Sequence, residues 1–546
     1  MKRSIGALPL LALMLGAAAP LPAPTVIAAD PAAANRIRAT VEFLADDLLE
    51  GRDTGARGHL IAAKFVASEF RALGLEPGGT DGGWTLDVPL RRAWHDGTPT
   101  ASVTSGGGRR KLAWQQDFEF APSFTKKQRR IDAPLVFAGW GLTDQRLGRA
   151  DYRGIDVRGK IAVVFSGVPK GLPVDAGSYL RSSKAKFAAA AGAIGLITVP
   201  APGSKRGEKL RPDDGSPDVN WVDREGRSGG GGGPEPKGLQ LRGALSLAEA
   251  ERLFARTPKG FDAVRTEAAS HPVRGFALRQ RLTIEARSRW EDFSSPAVIG
   301  RLPGSDPRLA REHVLLMAHL DHLGIKTDAK PGEDRIYNGA LDNAVGVATM
   351  IEVAREFVDS RVAPKRSLLF VAATGEEKGL LGSSYFASHP TVPIGDVAAA
   401  VDLDMPLPLY DFTDVVAFGA DHSSIGRTVA EAGAGMGVAL SPDFMPEQGV
   451  FTRSDHYSFV LQGVPAVLLA TGQANGGKPV WDAFLGGRYH SVADDLSQPI
   501  RWPQAARYAL LNYRITRALA DDAARPSWLP GDFFGGIAPS RAPSSP

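Results

Sequence analysis

The sequence contains no cysteine. No disulfide can therefore form, and a lipoprotein, whose lipid is attached to a cysteine, is excluded. An exported protein without disulfides has to obtain its stability from a large hydrophobic core or from bound metal. A metal site in this chain would have to be built from histidine and carboxylate ligands alone.

The chain also lacks a strong excess of charge of one sign. Its formal net charge is +4, with 23% charged and 43% hydrophobic residues, which are ordinary values for a globular protein. This small net charge does not indicate a particular class of binding partner. The densest basic run, residues 126–130, is interpreted as a solvated turn, and no nucleic-acid partner is expected.

Long apolar runs are equally scarce. One stretch, residues 5–19, follows Lys2 and Arg3 and precedes a proline-rich segment that ends in the small residues Ala28 and Ala29. This is the layout of a secretory signal peptide. We therefore predict a signal peptide over residues 1–29 and a periplasmic or secreted protein with no stable membrane anchor after cleavage. An uncleaved anchor is the alternative, although the stretch is short for a membrane span.

A chain of 546 residues is too long for one ordinary hydrophobic core, and changes in residue pattern along it predict several folded units. Residues 30–100 open with helical periodicity. Residues 101–289 alternate short apolar runs with turns, which predicts a small β-rich unit, and the glycine run at 228–236 is interpreted as a flexible surface loop. Residues 290–525 alternate strands and helices, which predicts an α/β sheet with helices on both faces. Residues 526–546 are predicted to be a disordered tail.

Five short segments of the α/β region carry potential metal ligands, at residues 318–322, 341–343, 375–377, 402–405 and 489–490. Three of them come directly after predicted strands, and ligands gather at the carboxyl ends of the strands in such sheets. Together the segments supply histidines and carboxylates. That mixture suits two zinc ions that remain open to a substrate.

The first segment offers two histidines and a carboxylate, and the second offers the carboxylate of Asp342. His319 ends a buried strand, and the carboxylate of Asp321 could accept a hydrogen bond from its other ring nitrogen. Asp342 lies just before a predicted amphipathic helix whose apolar face recurs between residues 344 and 358. The alternative role for Asp342 is an N-cap of that helix.

The next two segments are acidic. Glu376 and Glu377 follow an apolar strand, so one could bind metal while the other takes a proton; an ordinary surface turn is the alternative. Asp402 and Asp404 are separated by one residue and face one side if the strand continues. A carboxylate on an apolar strand is costly unless it is paired or metal-bound. Spacing alone does not decide between the two aspartates.

The last segment contains His490. Asp494 and Asp495 follow it closely, which suggests an oriented, basic ligand. His322 and His456 are candidates for supporting the site from behind the ligands. The other histidines are interpreted as structural: His59, His95, His271, His313, His389 and His422.

These segments form a series with the Ser-Asp-His of residues 454–456, and the series resembles the co-catalytic zinc aminopeptidase family, peptidase family twenty-eight, which also holds glutamate carboxypeptidase. The five ligand segments occur in the family's order. The resemblance covers residues 290–520 strongly and the N-terminal helices moderately, and residues 130–265 resemble, more weakly, a protease-associated domain. It implies the mixed, mostly parallel sheet of the zinc-dependent exopeptidases with helices on both faces, and an inserted small β-rich domain.

The resemblance also implies a role for each candidate. In the family pattern Asp342 bridges two Zn²⁺, His319 and Asp404 complete one ion, Glu377 and His490 complete the other, Glu376 is the general base, and Asp321 and Asp494 support the ligands. The preference for Asp404 over Asp402 rests on the family's Leu-Asp-Met. Two departures stand out: the family often has asparagine where Asp402 stands, and Pro406 and Pro408 suggest altered pocket walls.

The sequence thus predicts an exported zinc aminopeptidase that acts on peptide substrates. One alternative is a carboxypeptidase or dipeptidase on the same fold, for which Arg453 and Arg488 could bind the substrate carboxylate. A non-catalytic zinc-binding protein and a glutaminyl cyclase are further alternatives. The preferred terminal residue, the role of the inserted domain and the oligomeric state stay open.

Overall fold

The computed structural model describes residues 30–203, 210 and 214–537. The predicted signal peptide, residues 1–29, lies outside the described residues. Within the described part of the chain, no helix is both long enough and apolar enough to cross a membrane.

Groups of successive strands separate pairs of helices up to residue 344, and from Val345 strands and helices largely alternate. The α-helices are α1 Pro31–Leu44, α2 Arg57–Ala72, α3 Val174–Ser182, α4 Lys184–Ala190, α5 Leu247–Phe254, α6 Phe261–Ala268, α7 Val345–Asp359, α8 Leu381–Ser388, α9 Ile425–Ala434, α10 His456–Val460, α11 Gly477–Gly487 and α12 Trp502–Asp521. The strands are β1 Glu76–Pro77, β2 Thr85–His95, β3 Thr100–Ser105, β4 Gly108–Leu112, β5 Phe118–Phe120, β6 Gln128–Phe137, β7 Thr143–Asp144, β8 Arg149–Ala150, β9 Ile161–Phe165, β10 Gly195–Val199, β11 Asp218–Val222, β12 Ser228–Gly230, β13 Gly233–Pro234, β14 Leu241–Leu245, β15 Phe276–Leu302, β16 His313–His319, β17 Gly324–Ile325, β18 Ile336–Tyr337, β19 Ser367–Ala373, β20 Val397–Asp402, β21 Asp414–Phe418, β22 Ala439–Ser441 and β23 Ala466–Thr471.

The peptidase half is built on one mixed sheet. Strands β23, β20, β16 and β19 lie side by side and parallel. Strand β15 continues the sheet antiparallel to β19, and β2 pairs antiparallel with β15. Every residue of the four parallel strands is buried. Strands covered on both faces need apolar residues throughout, which is why these segments read as continuous apolar runs. The predicted α/β fold class is confirmed.

Helix α7 is more deeply buried than its sequence suggests. It lies against β16 and between α1 and α12, and Val345 through Ala354 are all buried. The prediction of an amphipathic helix with one apolar face is therefore wrong. The polar Glu352 inside it is paired with Arg36 of α1, whose Nε lies 3.0 Å from Glu352 Oε2.

The inserted unit has its own sheet, in which β6, β9, β10 and β14 run parallel. Strand β15 connects the two sheets, because its first part pairs with β6 and its last part pairs with β19. The predicted domain boundary at residues 289 and 290 therefore falls inside one continuous strand of 27 residues. Strands β11 to β13, assigned to the insert, instead extend the peptidase sheet beyond β2.

The glycine run is ordered rather than a flexible loop. Strands β12 and β13 form a hairpin whose backbone approaches its neighbours closely. A Cβ at Gly229 would lie 1.9 Å from the Trp221 ring, and one at Gly231 would lie 2.5 Å from the carbonyl oxygen of Gly379. The glycines are needed for this contact with the turn before α8.

Residues 526–537 also differ from the prediction of a disordered tail. Trp528 forms a β-bridge with Ser423, and its Nε1 donates a hydrogen bond of 3.0 Å to the carbonyl of Gly463. Phe534 is buried against Phe451. The aromatic side chains of this segment hold it on the peptidase half, whereas the proline- and serine-rich residues 538–546 lie outside the described residues.

Candidate metal centre

The candidate ligands meet at one edge of the peptidase sheet. His319 is the last residue of β16, Glu376 and Glu377 follow β19, and Asp404 follows β20. These parallel strands end at the same edge, so their carboxyl ends present the side chains together. Asp342 comes from the turn Ala340–Ala344 before α7, and His490 comes from the loop after α11.

One group of donor atoms surrounds His319. Its Nε2 lies 3.1 Å from Asp342 Oδ1 and 3.2 Å from Asp404 Oδ1, and all three side chains are buried. The other ring nitrogen, Nδ1, lies 3.0 Å from the backbone carbonyl of Asp321. An Nδ1–H that donates to this carbonyl leaves the lone pair of Nε2 free for a metal ion.

A second group surrounds Glu377. His490 Nε2 lies 3.3 Å from Glu377 Oε2 and 3.4 Å from Asp342 Oδ2. Asp342 therefore reaches His319 with one carboxylate oxygen and His490 with the other. The side chain of His490 is 40% exposed, while those of Asp342 and Glu377 are buried, so the site opens on the His490 side.

The centre holds more buried negative charge than its own side chains neutralise. Burial and the neighbouring carboxylates raise the pKa of Glu377 to about 8, and burial also raises the pKa of Glu376 well above its ordinary value. Burial alone would lower the pKa of His319, but Asp404 and Asp342 outweigh it and raise that pKa. A cation placed among these groups would relieve the repulsion between the carboxylates.

The donor chemistry fits zinc. Three sets of histidine and carboxylate atoms near Asp342 and Glu377 each lie within 4.8 Å of one another: His319 with Asp342 and Asp404, His319 with Glu376 and Glu377, and His322 with Asp342 and Glu377. Imidazole nitrogen and carboxylate oxygen are zinc ligands, and a site with few protein ligands keeps a position open. Two ions could share Asp342.

His322 is placed closer to the centre than its supporting role in the sequence suggests. Its buried Nδ1 lies 2.7 Å from Glu377 Oε1. Its Nε2 is buried without a hydrogen-bond partner in the described part of the chain. The signal in the sequence was its position three residues after His319, on the loop that follows the same strand.

Asp321 supports the site in a different way from the one predicted. Its backbone carbonyl, rather than its carboxylate, faces the His319 ring. The carboxylate accepts a hydrogen bond of 2.7 Å from Thr54 Oγ1 and one of 3.3 Å from the backbone N–H of Glu376. Asp321 thus links the N-terminal segment to the loop that carries the two glutamates.

Asp494 likewise contacts the backbone rather than His490. It accepts hydrogen bonds from the backbone N–H groups of Leu341 and Asp342, at 3.0 and 2.9 Å, and from Gln498 Nε2 at 2.6 Å. These contacts hold the turn that carries Asp342. The expectation that Asp494 orients the His490 ring is wrong.

The N-cap alternative for Asp342 does not describe the structure. Helix α7 begins at Val345, and its N-cap is Ala344. Asp342 has φ −117° and ψ 83°, outside the helical region. This backbone conformation is consistent with a side chain that faces the two histidines instead of the helix end.

The two aspartates at the carboxyl end of β20 differ in their contacts. Asp404 reaches His319, whereas Asp402 Oδ2 accepts hydrogen bonds from Ser454 Oγ at 2.8 Å and from the backbone N–H of His456 at 3.1 Å. The Ser454 hydroxyl also lies 2.7 Å from Asp404 Oδ2. Ser454 holds both carboxylates in place; it belongs to the Ser-Asp-His of residues 454–456, but the sequence predicted no role for its hydroxyl.

Arg52 is another residue that no motif indicated. It is 1% exposed, and its guanidinium donates to the backbone carbonyls of Leu44, Leu320, Asn338 and Gly339. Leu320 follows His319, and Gly339 begins the turn that leads to Asp342. Arg52 therefore fixes two ligand-bearing loops against the end of α1.

The remaining histidines lie elsewhere. His422 Nδ1 is 2.7 Å from Asp532 Oδ2, and His389 Nε2 is 3.4 Å from Asp223 Oδ2. Asp223 and Glu225 form a further cluster with His389, but Arg227 already pairs with Asp223 at 2.6 Å. Arg227 therefore supplies the positive charge beside the Asp223 carboxylate in this cluster.

Family models match both halves of this architecture. Residues 297–516, which include all the candidate ligands, match the model of peptidase family M28, and residues 131–223 match the model of the PA domain. Residues 297–516 thus form a peptidase family M28 domain. The resemblance to the zinc aminopeptidase family and to a protease-associated domain is thereby confirmed.

Several curated proteins are similar to parts of this chain. A "Probable zinc metalloprotease" of Pyrenophora tritici-repentis (strain Pt-1C-BFP) is 42% identical over 67 residues, which is 12% of this chain and 15% of the relative. A "probable leucine aminopeptidase 2" of Aspergillus oryzae (strain ATCC 42149 / RIB 40) is 25% identical over 230 residues, 38% of this chain and 42% of the relative. The chain thus spans less than half the length of these relatives.

Among solved structures, an aminopeptidase from Aneurinibacillus sp. strain AM-1 is 20% identical, with a TM-score of 0.47 over 94% of this chain and 98% of the other. The zinc aminopeptidase BSAP from Bacillus subtilis is 18% identical, with a TM-score of 0.41 over 90% of this chain and 96% of the other.

Proposed function

We propose that this chain is a zinc aminopeptidase with two metal ions. The observation that carries the proposal is the position of Asp342, whose two carboxylate oxygens lie beside His319 and His490 respectively. A carboxylate shared in this way is what two neighbouring ions require as a bridge. His319 and Asp404 would hold one ion, and Glu377 and His490 the other.

Two bound zinc ions would supply Lewis acidity that lowers the pKa of a water molecule. Glu376 has no ligand duty in this assignment, so its carboxylate accepts the proton of that water as the new carbon–oxygen bond forms. It then delivers the proton to the nitrogen of the leaving amine as the carbon–nitrogen bond breaks. Asp321 holds the backbone N–H of Glu376 and so positions this base.

The open side of the centre supports action at the amino end of a peptide. The exposed edge of His490 lies next to the buried carboxylates of Asp342 and Glu377. A free α-amino group, which is positively charged at neutral pH, would be attracted to this negative surface. We infer that the enzyme removes N-terminal residues. The signal-peptide pattern of residues 1–29 supports a separate inference, that the protein is exported.

The proposal is tested by measuring bound metal and hydrolysis together. We expect two zinc ions per chain, cleavage of aminoacyl-anilides, loss of activity on chelation and recovery on adding zinc. Dipeptides blocked at the amino end serve as the discriminating substrates. Cleavage of these with no cleavage of free-amine substrates would replace the aminopeptidase by a carboxypeptidase, and a chain that binds no zinc would exclude both.

A further inference from the structure

A large cleft lies between the inserted unit and the peptidase half. Its volume is about 1430 Å³. The insert contributes residues 121–126, and the peptidase half contributes the hairpin of β12 and β13, part of α8 and the turn before it. Glu377 and Lys378 are among the lining residues, so the cleft reaches the loop that carries a proposed metal ligand.

The lining of this cleft is basic. More cationic than acidic residues line it. The seven cationic residues are Lys126, Arg129, Lys186, Arg227, Lys237, Arg242 and Lys378, and the three acidic residues are Asp218, Glu235 and Glu377. The formal net charge of the whole chain is only +4. A large share of the positive excess is therefore concentrated along one concave surface.

Some of these cations are already paired. Arg227 pairs with Asp223 at 2.6 Å, Arg242 with Glu235 at 2.6 Å, and Lys378 with Asp53 at 2.6 Å. Such pairs add little to the net positive charge that a ligand in the cleft would meet.

Four cations keep their charge available. Lys126, Lys186 and Lys237 are exposed and have no ion-pair partner within the described ranges. Arg129 is half-buried over the Phe120 ring and donates to the backbone carbonyls of Ala121 and Gln240, and it forms no ion pair with any residue that the structure describes. A cleft lined by charges of one sign focuses its field on ligands of the opposite sign.

We propose that this cleft binds the part of a peptide substrate beyond the bond to be cut, and that it selects acidic peptides. The inference rests on the proposed function, because it places the N-terminal residue at the metal centre. The remaining residues of such a peptide run past Glu377 and Lys378 into the cleft. There, acidic side chains and the C-terminal carboxylate meet Lys126, Arg129, Lys186 and Lys237.

Binding tests the cleft without requiring turnover. Fluorescein-labelled Leu-Ala-Glu-Glu-Ala and Leu-Ala-Lys-Lys-Ala are titrated with chelated full-length protein at low salt, and anisotropy is measured. We expect the acidic peptide to bind at least roughly tenfold more tightly. Added salt should weaken this preference because it screens exposed charges.

Matched variants separate the cleft from the overall charge. The test variant carries Lys126→Glu, Lys186→Glu and Lys237→Glu. The control carries Lys64→Glu, Lys111→Glu and Lys170→Glu, which changes three exposed lysines outside the cleft by the same total charge. The test variant should lose the preference for the acidic peptide, and the control should keep it. Equal affinity of the wild type for both peptides, or an equal loss in both variants, would overturn the proposal.

Hydrolysis of leucine p-nitroanilide distinguishes this proposal from the proposed function. The anilide has no residues beyond the scissile bond, so its kcat/KM should stay within about twofold of wild type in both variants. Cleavage of the anilide without any peptide preference would reject the cleft alone. A zinc-loaded wild type that leaves the anilide intact would reject the aminopeptidase, whatever the binding data show.

Discussion

Asp342 and Glu376 carry different duties in the proposed centre, although both are buried carboxylates within a few ångströms of His319. Asp342 is placed between two histidines, as a shared ligand requires. Glu376 has its backbone fixed by Asp321, while its side chain is left for proton transfer. Single substitutions should therefore separate metal binding from turnover.

Glu376→Gln should retain both zinc ions and lose at least about 100-fold in kcat, because the amide cannot accept the proton of the attacking water. Metal analysis and anilide kinetics on the same preparation check this. Glu251→Gln, an exposed glutamate of α5, is the control and should behave as wild type. Near-normal turnover of Glu376→Gln would show that the base has been misassigned.

Arg52→Met should lower the free energy of unfolding by more than about 3 kcal/mol, because four buried carbonyls lose their charged donor. Zinc affinity should fall as well, since two ligand-bearing loops are released. Urea unfolding and zinc titration measure the two effects. Arg427→Met removes an exposed pair with Glu431 and should cost at most about 0.5 kcal/mol. Equal stability of the two variants would contradict the role given to Arg52.

Among the elements, the hairpin of β12 and β13 packs against α8 and against the turn that follows Glu376 and Glu377. Ser384 Oγ of α8 donates a hydrogen bond of 2.5 Å to the carbonyl of Gly230, and Trp221 Nε1 donates one of 3.1 Å to Ser384 Oγ. Gly231 lies against Gly379, three residues after Glu376. A displaced hairpin would therefore disturb the turn beside the proposed base.

Gly231→Ala should destabilise the protein by about 1–3 kcal/mol, because its Cβ would lie 2.5 Å from a backbone oxygen that cannot move freely. Gly232→Ala is the control, since a Cβ there has nothing within 4 Å. Thermal unfolding compares the two variants. A Gly231→Ala protein as stable as Gly232→Ala would mean that the hairpin does not pack as described.

The apolar strands and the candidate ligands near their ends leave a local signal in the sequence. Apolar strands followed directly by His319, Glu377 or Asp404 could be recognised because a buried strand and a polar residue at its end are adjacent in the chain. The supporting residues Arg52 and Thr54 could not be recognised, because they lie far from the candidate ligands in sequence and look like ordinary surface residues. The enclosure of α7 and the crossing of β15 between two sheets depend on tertiary packing, which periodicity does not report.

On the scale of the whole molecule, three distant parts of the chain meet at His422. Its ring lies against Phe451 of the peptidase half, with Asp532 of the C-terminal segment 2.7 Å from Nδ1 and Asp175 of α3 3.5 Å from Nε2. Burial alone would lower the pKa of His422, but Asp175 and Asp532 outweigh it and, with Asp421, raise the pKa above its ordinary value.

A raised pKa in the folded state makes the contribution of His422 to stability pH-dependent. The contribution is complete below the pKa of an unfolded histidine and is lost as the pH rises through the higher folded pKa. The difference in unfolding free energy between wild type and His422→Gln should therefore be larger at pH 5.5 than at pH 8.5. The exposed His271→Gln is the control and should show no such trend. A difference that grew with pH would have the wrong sign for this account.

The measurement that tests the central claim most directly is the number of zinc ions bound per chain, determined by native mass spectrometry for wild type, His319→Ala, His490→Ala and Asp342→Ala. Two ions in the wild type, one in each histidine variant and a loss of both in Asp342→Ala would be the result expected of a shared carboxylate. A wild type that holds one ion, or an Asp342→Ala chain that still holds two, would contradict the proposed centre.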